Sequence, residues 1–249
     1  MAGAALLGRL TPPPALRWQT ARVVSVRAET PRAITLALDV PEWPGHRAGQ
    51  HVDVRLTAED GYRAQRSYSI ASPPLASVLE ITVERLEDGE VSPWLAGEAQ
   101  PGDELELRGP IGGYFVWEPA RGGPLLLIAG GSGLVPLMCI ERLRRAAAPE
   151  IASTLLVSAR SQEDLIYAEE LSEGAAVVTY TREPPPGWTG YARRVDRAML
   201  TEVAPPPEQR PHCYVCGPTS FVEVVAEALV ALGHHRALIK TERFGATGG

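Results

Sequence analysis

The chain has 249 residues and a formal net charge of −6 at pH 7, which argues against a nucleic-acid-binding protein because such proteins normally present a basic face. A hydrophobic fraction of 45% and a charged fraction of 22% are typical of a globular protein, and no apolar run approaches the roughly 20 residues that span a bilayer. We expect a cytoplasmic protein of two domains. A metal site is not expected, because the three cysteines lack the spacing of an iron–sulfur cluster, and they also lack the spacing of a disulfide scaffold.

The first half of the chain has the pattern of an all-β domain. Residues 1–16 end in small residues and prolines, so we predict a flexible arm there. Between residues 17 and 120, six alternating or β-branched runs are separated by turn residues, with one helical turn near Ser92 to Leu95. This spacing predicts a six-stranded antiparallel barrel. The runs cover Ala21–Val26, Ala33–Leu38, His51–Leu56, Ser67–Ala71, Leu79–Leu86 and Glu104–Leu107.

The pattern changes at residue 121, where we predict a second domain over residues 121–249. Leu125–Ala129 is a continuous apolar run, typical of a strand buried on both faces, and a helix is expected from Pro136 to Ala147. The strand and helix patterns that follow alternate, which predicts a Rossmann-like parallel sheet with helices on its faces. The further predicted elements are strands at Leu155–Ala159, Val177–Tyr180 and Tyr214–Cys216 and helices at Gln162–Leu171 and Thr219–Leu232.

A glycine turn, Gly130 to Gly133, joins the first strand of this domain to its first helix. Backbone N–H groups and the positive end of the helix dipole face outward at such a turn and favour a phosphate. Pro136 stands where the dinucleotide motif G-x-G-x-x-G has its third glycine, and a proline at the first helical position loses no needed hydrogen bond. A tight structural turn without a ligand is the alternative.

A second turn, Cys216 to Pro218, follows a later strand at its carboxyl end, where open parallel sheets bind ligands. The Cys216 thiol either faces such a ligand or fills the core. Cys213 and Cys216 do not suggest a redox pair, because residues three apart on a strand lie on opposite faces. A zinc site is not expected, since a second pair of ligands is missing.

The segment Arg66 to Ser72 carries side chains suited to a flavin. Arg66 offers a bidentate donor for a pyrophosphate, Tyr68 an aromatic face for a ring system, and Ser69 a hydroxyl for hydrogen bonding. Taken alone, the same residues are typical of an ordinary strand.

Together and in this order, these segments resemble the ferredoxin–NADP reductase superfamily, over about Ala21 to Gly245. The resemblance implies that Arg66 holds the FAD pyrophosphate, that Tyr68 packs along the isoalloxazine and that Ser69 lies near N5. Gly109 to Phe115 is similar to the family segment that closes the barrel. Further FAD contacts are implied at Ser72, Val83, Gly89, Val91 and Ser92. The pyrophosphate contact implies FAD rather than FMN.

On the nicotinamide side, the resemblance puts the NADP pyrophosphate on the glycine turn and Cys216 beside the ring that faces N5. Glu242 to Gly245 resembles the family's terminal segment, in which Phe244 would cover the flavin until nicotinamide displaces it. Glu242 would relay protons, with an ordinary surface carboxylate as the alternative. Ser69, Cys216 and Glu242 are thus the implied catalytic residues. The implied NADP contacts also include Gly131, Ser132, Gly133, Pro136, Gly217 and Pro218.

The choice between NADPH and NADH depends on the 2′-phosphate, whose recognition needs fixed positive charge and hydroxyl donors. Arg160, Thr181, Arg182 and Arg194 follow successive strands and resemble the phosphate-binding residues of bacterial NADP reductases. We expect no acidic residue just past the second strand to hold a free ribose. The sequence therefore favours NADPH, with a surface salt bridge as the alternative for each arginine.

The resemblance implies an FAD-dependent oxidoreductase that passes hydride between NADPH and FAD and single electrons to another carrier. Relatives with this terminal segment often continue into an iron–sulfur domain, but the sequence contains no C-x-x-x-x-C-x-x-C motif. We therefore expect a separate acceptor such as ferredoxin, flavodoxin or an oxygenase component, and we expect a monomer. The alternatives are a ferric-chelate or free-flavin reductase and a non-catalytic flavin- or nucleotide-sensing module.

Overall fold

The computed structural model of the protein describes residues 16–244 and contains two sheets. The first is antiparallel and six-stranded, and the second is parallel and five-stranded with helices packed on it. The predicted fold class, a barrel followed by a Rossmann-like domain, is confirmed. Residues 1–15 of the arm predicted over residues 1–16, and Gly245 of the terminal segment, lie outside the described residues.

The antiparallel sheet has the strand order β4-β3-β6-β1-β2-β5. Alternating residues of its strands meet in one buried apolar core, and Leu95 of the short helix α1 is fully buried against it. The elements are β1 (Trp18–Thr30), β2 (Ala33–Asp39), β3 (His51–Thr57), β4 (Arg63–Ser69), β5 (Leu79–Glu84), α1 (Ser92–Gly97) and β6 (Glu104–Ile111).

The two edge strands of this sheet, β4 and β5, meet just beyond the end of β4. Ile70 forms an isolated bridge with Ile81, and the Ala71 amide donates to the Glu80 carbonyl at 2.8 Å. Within residues 16–244, no ladder continues this pairing toward Arg66. The barrel is therefore closed at Ile70 and open beside Arg66.

The parallel sheet has the order β11-β10-β7-β8-β9, with β7 at its centre. Every residue of β7 is buried, because Leu127 and Ala129 pack on one face while Leu126 and Ile128 pack on the other. The elements are β7 (Leu125–Gly130), α2 (Leu134–Ala147), β8 (Ser153–Ser161), α3 (Ala168–Glu173), β9 (Val177–Glu183), α4 (Arg197–Val203), β10 (His212–Pro218), α5 (Thr219–Ala231) and β11 (Ile239–Phe244).

Several element boundaries differ from the sequence-based expectation. Helix α2 begins at Leu134, so the placement of Pro136 at the first helical position was wrong. Proline is tolerated at its actual third position because the first four N–H groups of a helix have no intrahelical acceptor. The helix expected from residue 162 begins only at Ala168, and neither α4 nor β11 was predicted.

The two halves of the chain share one core. Ala48, Phe115 and Trp117 of the first half belong to the same buried cluster as Leu127 and Tyr214 of the second. The Tyr214 hydroxyl donates to the Val116 carbonyl at 2.8 Å, and its ring packs edge-on against Phe115. This packing fixes the barrel against the ends of the parallel strands.

Two searches concern the described residues only. Between residues 16 and 244, no helix is long and apolar enough to cross a membrane. The same stretch of chain holds no cluster of three or more His, Cys, Asp or Glu side chains arranged to bind a metal ion.

Candidate active site

A cleft of about 500 Å³ lies between the barrel and the carboxyl ends of the parallel strands. Arg32, Ala33 and Glu84 contribute to its wall from the barrel. The second half contributes most of the predicted NADP residues, namely Gly131, Ser132, Arg160, Thr181, Arg182, Arg194 and Pro218, together with Phe244, the residue predicted to cover the flavin. The structure thus brings together side chains that the sequence spreads over more than a hundred positions.

The glycine turn forms one rim of the cleft as a short 3₁₀ turn, Gly131–Gly133. Gly131 has a φ of +56° and open space where a side chain would be, so glycine meets a conformational requirement. Gly133 meets a steric one, since a Cβ there would lie 2.2 Å from the Cys216 carbonyl oxygen. The two turns at the ends of β7 and β10 therefore pack backbone to backbone.

Not every predicted NADP residue is part of the cleft wall. Gly133, Pro136 and Cys216 are buried behind it, and Gly217 packs against the Phe221 ring. Gly130 packs against the same ring, which itself lines the cleft. Gly133, Pro136, Cys216 and Gly217 therefore support the rim rather than face the open space.

Cys216 and Glu242 are register partners on the neighbouring strands β10 and β11. Burial, reinforced by the nearby Glu242, raises the pKa of the Cys216 thiol well above its ordinary value. Burial also raises the pKa of Glu242 to about 7. The Glu242 Oε2 is buried and has no hydrogen-bond partner among the described residues, so the alternative of an ordinary surface carboxylate is wrong.

The other cysteine of β10 has a different environment. Cys213 packs in the cluster on the opposite face of the sheet from Cys216, which confirms that the two thiols cannot pair. Its Sγ lies 4.0 Å from Nδ1 of the buried His234. Burial raises the pKa of Cys213 to about 12, so this thiol is a neutral core group.

Arginines mark the side of the cleft formed by β8 and β9. Arg160 donates to Asp164 at 2.8 Å and lies 3.9 Å from Glu84. Arg182 and Arg194 are exposed, and neither forms an ion pair within the described part of the chain. Two of the three arginines are therefore free to meet a ligand.

The expectation that no acidic residue follows the second strand was wrong. Strand β8 extends to Ser161, and Asp164 comes three residues later and lines the cleft. Its carboxylate accepts hydrogen bonds from Ser161 and Arg160, which fold the loop back onto the end of the strand. The alternative of a salt bridge therefore applies to Arg160.

The predicted flavin residues of β4 line a different surface from the cleft. Arg66 is exposed and lies 3.5 Å from Glu90, while Tyr68 packs on the barrel core. The Tyr68 hydroxyl is buried without a hydrogen-bond partner among residues 16–244, and burial raises its pKa. Ser69 pairs with His51 of β3. A hydroxyl left without a partner beside the open edge of the barrel fits a bound polar ligand.

Other predicted flavin residues serve the barrel itself. The Ser72 hydroxyl accepts from the Glu80 amide at 2.9 Å, and the Ser92 hydroxyl accepts from the Leu86 amide at 3.1 Å. The side chains of Val83 and Val91 are fully buried in the barrel core, so neither side chain is available to a ligand. Gly89 is needed because a Cβ there would lie 2.8 Å from the Ser92 Oγ.

Sequence reasoning missed His51 and the polar contacts between the two halves. His51 lies opposite Ser69, and burial lowers its pKa. The Thr82 and Tyr167 hydroxyls lie 2.5 Å apart and join β5 to the loop before α3. Such residues are recognised only when it is known which strands pair, and the spacing of residues along one strand does not give that information.

Comparisons with known proteins agree with this architecture. Residues 22–116 match the model of the oxidoreductase FAD-binding domain and residues 127–227 that of the oxidoreductase NAD-binding domain. The chain is 31% identical to ferredoxin–NADP reductase B of Sorangium cellulosum over 90% of this chain and 96% of that protein. It is also 32% identical to the glycine betaine monooxygenase reductase subunit of Chromohalobacter salexigens over 91% of this chain.

The chain spans only 64% of the length of that reductase subunit. Among solved structures, the FAD/NAD-binding domain of nitric oxide dioxygenase from Vibrio cholerae superposes with a TM-score of 0.81 at 26% identity. That likeness covers 92% of this chain and 99% of the domain.

Proposed function

The chain belongs to the ferredoxin–NADP reductase superfamily, and from that premise we propose that it is an FAD-dependent NADPH oxidoreductase. It would transfer hydride between NADPH and FAD and pass single electrons to a separate carrier such as ferredoxin, flavodoxin or an oxygenase component. The observation that carries the proposal is the cleft, where the glycine turn, the free arginines and Phe244 share one wall opposite the barrel. We propose residues 17–120 as the FAD domain and 121–249 as the NADP domain.

The open edge of the barrel is the proposed FAD site. Arg66 would hold the pyrophosphate, because its guanidinium is exposed and its one ionic partner among the described residues is the exposed Glu90, 3.5 Å away, from which a ligand can displace it. Tyr68 would pack along the ring system and use its unpartnered hydroxyl. Bound there, FAD would supply a carrier that takes up two electrons and releases them one at a time. Ser69, on the same strand, would lie near the reactive edge.

The cleft is the proposed NADPH site. Gly131 and Ser132 would hold the pyrophosphate at the start of α2, where unpaired N–H groups and the helix dipole favour anions. Cys216, a neutral and buried thiol, would support the nicotinamide ring without adding charge. Phe244 lines the cleft and packs on the shared core, so it would move aside when the nicotinamide enters.

The preference for NADPH rests on Arg182 and Arg194. Both line the cleft with Thr181, and neither is neutralised by a carboxylate in the part of the chain that the structure describes. Arg160 contributes less, because Asp164 already binds it. Two exposed guanidinium groups favour a 2′-phosphate over a free hydroxyl.

Glu242 would hold a proton close to the reacting rings. With its pKa raised to about 7, this carboxyl group can take up and release a proton near neutral pH. Cys216, its register partner, lies between the glycine turn and Glu242.

Stopped-flow reduction of the bound flavin by NADPH and by NADH, measured in parallel, tests the proposal. We expect NADPH to reduce the flavin with the higher ratio of limiting rate to dissociation constant. Equal ratios would contradict the NADPH preference. A protein that stays yellow with either coenzyme under anaerobic conditions would contradict the enzyme itself and favour a sensing module.

The electron acceptor needs its own measurement. We expect NADPH oxidation coupled to cytochrome c to increase when ferredoxin or flavodoxin is added. Turnover with ferricyanide and iron chelates, but with no protein carrier, would instead favour a ferric-chelate or free-flavin reductase.

A further inference from the structure

Helix α2 connects the two halves of the proposed active site directly. Its first residue follows the glycine turn, and its middle residues contact the barrel where β4 and β5 meet. From Gly133 to Arg142 the helix axis covers about 14 Å at 1.5 Å per residue. One rigid element therefore links the glycine turn, which is the rim of the proposed NADPH site, to β4, which we call the flavin strand because it carries the proposed FAD contacts.

Two side chains of α2 donate hydrogen bonds to consecutive carbonyls of the barrel. The Cys139 thiol donates to the Ser72 carbonyl at 3.0 Å, and Nη1 of Arg142 donates to the Ala71 carbonyl at 2.9 Å. Burial raises the pKa of Cys139 to about 12, so the thiol keeps its proton. Ala71 and Ser72 lie two and three residues after Ser69, the last residue of β4.

Arg142 is itself held from two further directions. Its guanidinium forms a fork on the Glu170 carboxylate, with Nη2 at 2.6 Å and Nε at 3.1 Å from Oε2. It also lies over the Tyr167 ring, 4.5 Å from the ring centre, and the Tyr167 hydroxyl contacts Thr82 of β5. Arg142 thus joins α2 and α3 to the segment that follows β4 and, through Tyr167, to β5.

Tyr167 adds a reason to regard this arrangement as fixed. Its backbone has a φ of +58°, a left-handed conformation that a tyrosine seldom adopts and that persists where surrounding contacts hold it. The packing of Arg142 on the ring and the hydroxyl contact with Thr82 supply such contacts.

We propose that Arg142 is a positioning residue for hydride transfer. It touches neither coenzyme, and it sets the distance between the flavin strand and the glycine turn by holding the Ala71 carbonyl against α2. Because reacting atoms must be held within a few tenths of an ångström, a small shift of β4 lowers the transfer rate without removing either binding site. This inference rests on the proposed function.

The test compares Arg142→Met and Arg142→Lys with Arg144→Met. Arg144 is a matched control, since its side chain is 14% exposed against 15% for Arg142 and also forms a fork, on Glu141. Its other partners, the carbonyls of Pro149 and Ile151, belong to the second half of the chain. FAD content, the dissociation constant for NADPH, the limiting rate of flavin reduction and its isotope effect with deuterated NADPH are measured for each protein.

For Arg142→Met we expect the limiting rate to fall roughly tenfold or more with an increased isotope effect, while FAD content and the NADPH dissociation constant change less than twofold. Arg142→Lys keeps a donor for Ala71 and should recover part of the rate. Arg144→Met should lower the melting temperature but keep the native rate.

A limiting rate of Arg142→Met within twofold of native, or an equal fall in Arg144→Met, would overturn the proposal. If Arg142→Met loses FAD, the limiting rate of Arg142→Lys is used instead, and a value within twofold of native would then overturn the proposal. A native protein whose flavin neither coenzyme reduces would instead refute the proposed function, which separates the two failures.

Discussion

The two sides of the cleft are built in opposite ways. On the side of β10 and β11, Gly133, Cys216 and Glu242 are packed together, and backbone atoms of neighbouring turns are in contact. On the side of β8 and β9, Arg182 and Arg194 are exposed and are not ion-paired in the described residues. We call these the packed side and the charged side.

The difference shows how one cleft can serve two purposes. On the packed side, burial raises the pKa of the Glu242 carboxyl group, and the contact at Gly133 is too tight for a methyl group. The charged side is solvated, so its residues can change without disturbing the core. We therefore expect substitutions on the packed side to affect chemistry and stability, and those on the charged side to affect the choice of coenzyme.

The largest effect is expected for Gly133→Ala. The added methyl group would lie 2.2 Å from the Cys216 carbonyl, so the glycine turn must move away from β10. We expect the rate of flavin reduction by NADPH to fall about 100-fold or more, measured by stopped-flow absorbance. Gly97→Ala is the control, because no atom lies within 4 Å of its added methyl group. A native rate in Gly133→Ala would show that the packed side is not rigid.

Glu242→Gln should change the pH dependence of stability. Because the folded pKa of Glu242 is raised from 4.5 to about 7, the folded protein binds more protons between these values, and its stability falls as pH rises through this window. We expect this carboxyl group to account for a loss of up to about 3 kcal/mol in unfolding free energy, complete above pH 7.

Urea denaturation at pH 5, 6, 7 and 8 measures this effect. Glu242→Gln should show a flatter profile than the native protein, and Glu223→Gln, an exposed substitution on α5, should keep the native profile. Parallel profiles for the native protein and Glu242→Gln would mean that the carboxyl group is solvated.

A smaller effect is expected on the charged side. Arg182→Ala removes one donor for the 2′-phosphate and should lower kcat/KM for NADPH roughly tenfold while leaving the value for NADH unchanged. Steady-state kinetics with both coenzymes measures the ratio. Arg197→Ala, an exposed arginine outside the cleft, should alter neither value. An equal loss of kcat/KM with NADH would mean that Arg182 contacts a part of the coenzyme that NADH and NADPH share.

The smallest effect is expected for Phe244→Ala, at the end of β11, where the ring lines the cleft. Removal of a ring that competes with nicotinamide should tighten NADP⁺ binding about three- to tenfold, measured by difference spectroscopy. Tyr114→Ala removes an exposed ring outside the cleft and serves as the control. Weaker binding in Phe244→Ala would mean that the ring supports the coenzyme rather than competes with it.

Much of the fold could be predicted because its signals are local. The apolar run at Leu125–Ala129 and the glycine turn indicated a buried strand and a helix start, and both are present. Helix α3 was misplaced because Tyr167 interrupts the helical pattern with a left-handed residue that a contact from the barrel helps to hold. Strand β11 was missed because it pairs with β10 from the edge of the sheet.

A functional prediction on the charged side failed for the same reason, because a contact between two side chains depends on the tertiary structure. Arg160 and Asp164 are four residues apart in the sequence, but the hydrogen bond between them depends on where β8 ends and how the loop turns back. The sequence therefore predicted three equivalent arginines, and the structure leaves two free within residues 16–244.

By itself, the sequence determined the family, the order of barrel and parallel sheet, and the two turns that open on the cleft, because these depend on residues that are neighbours in the chain. Only the tertiary structure decided that burial raises the pKa of Glu242, that Gly133 packs against the Cys216 carbonyl, and that Arg142 joins α2 to the segment after β4. Burial and close contact arise from residues far apart in sequence, so spacing along the chain carries no record of them.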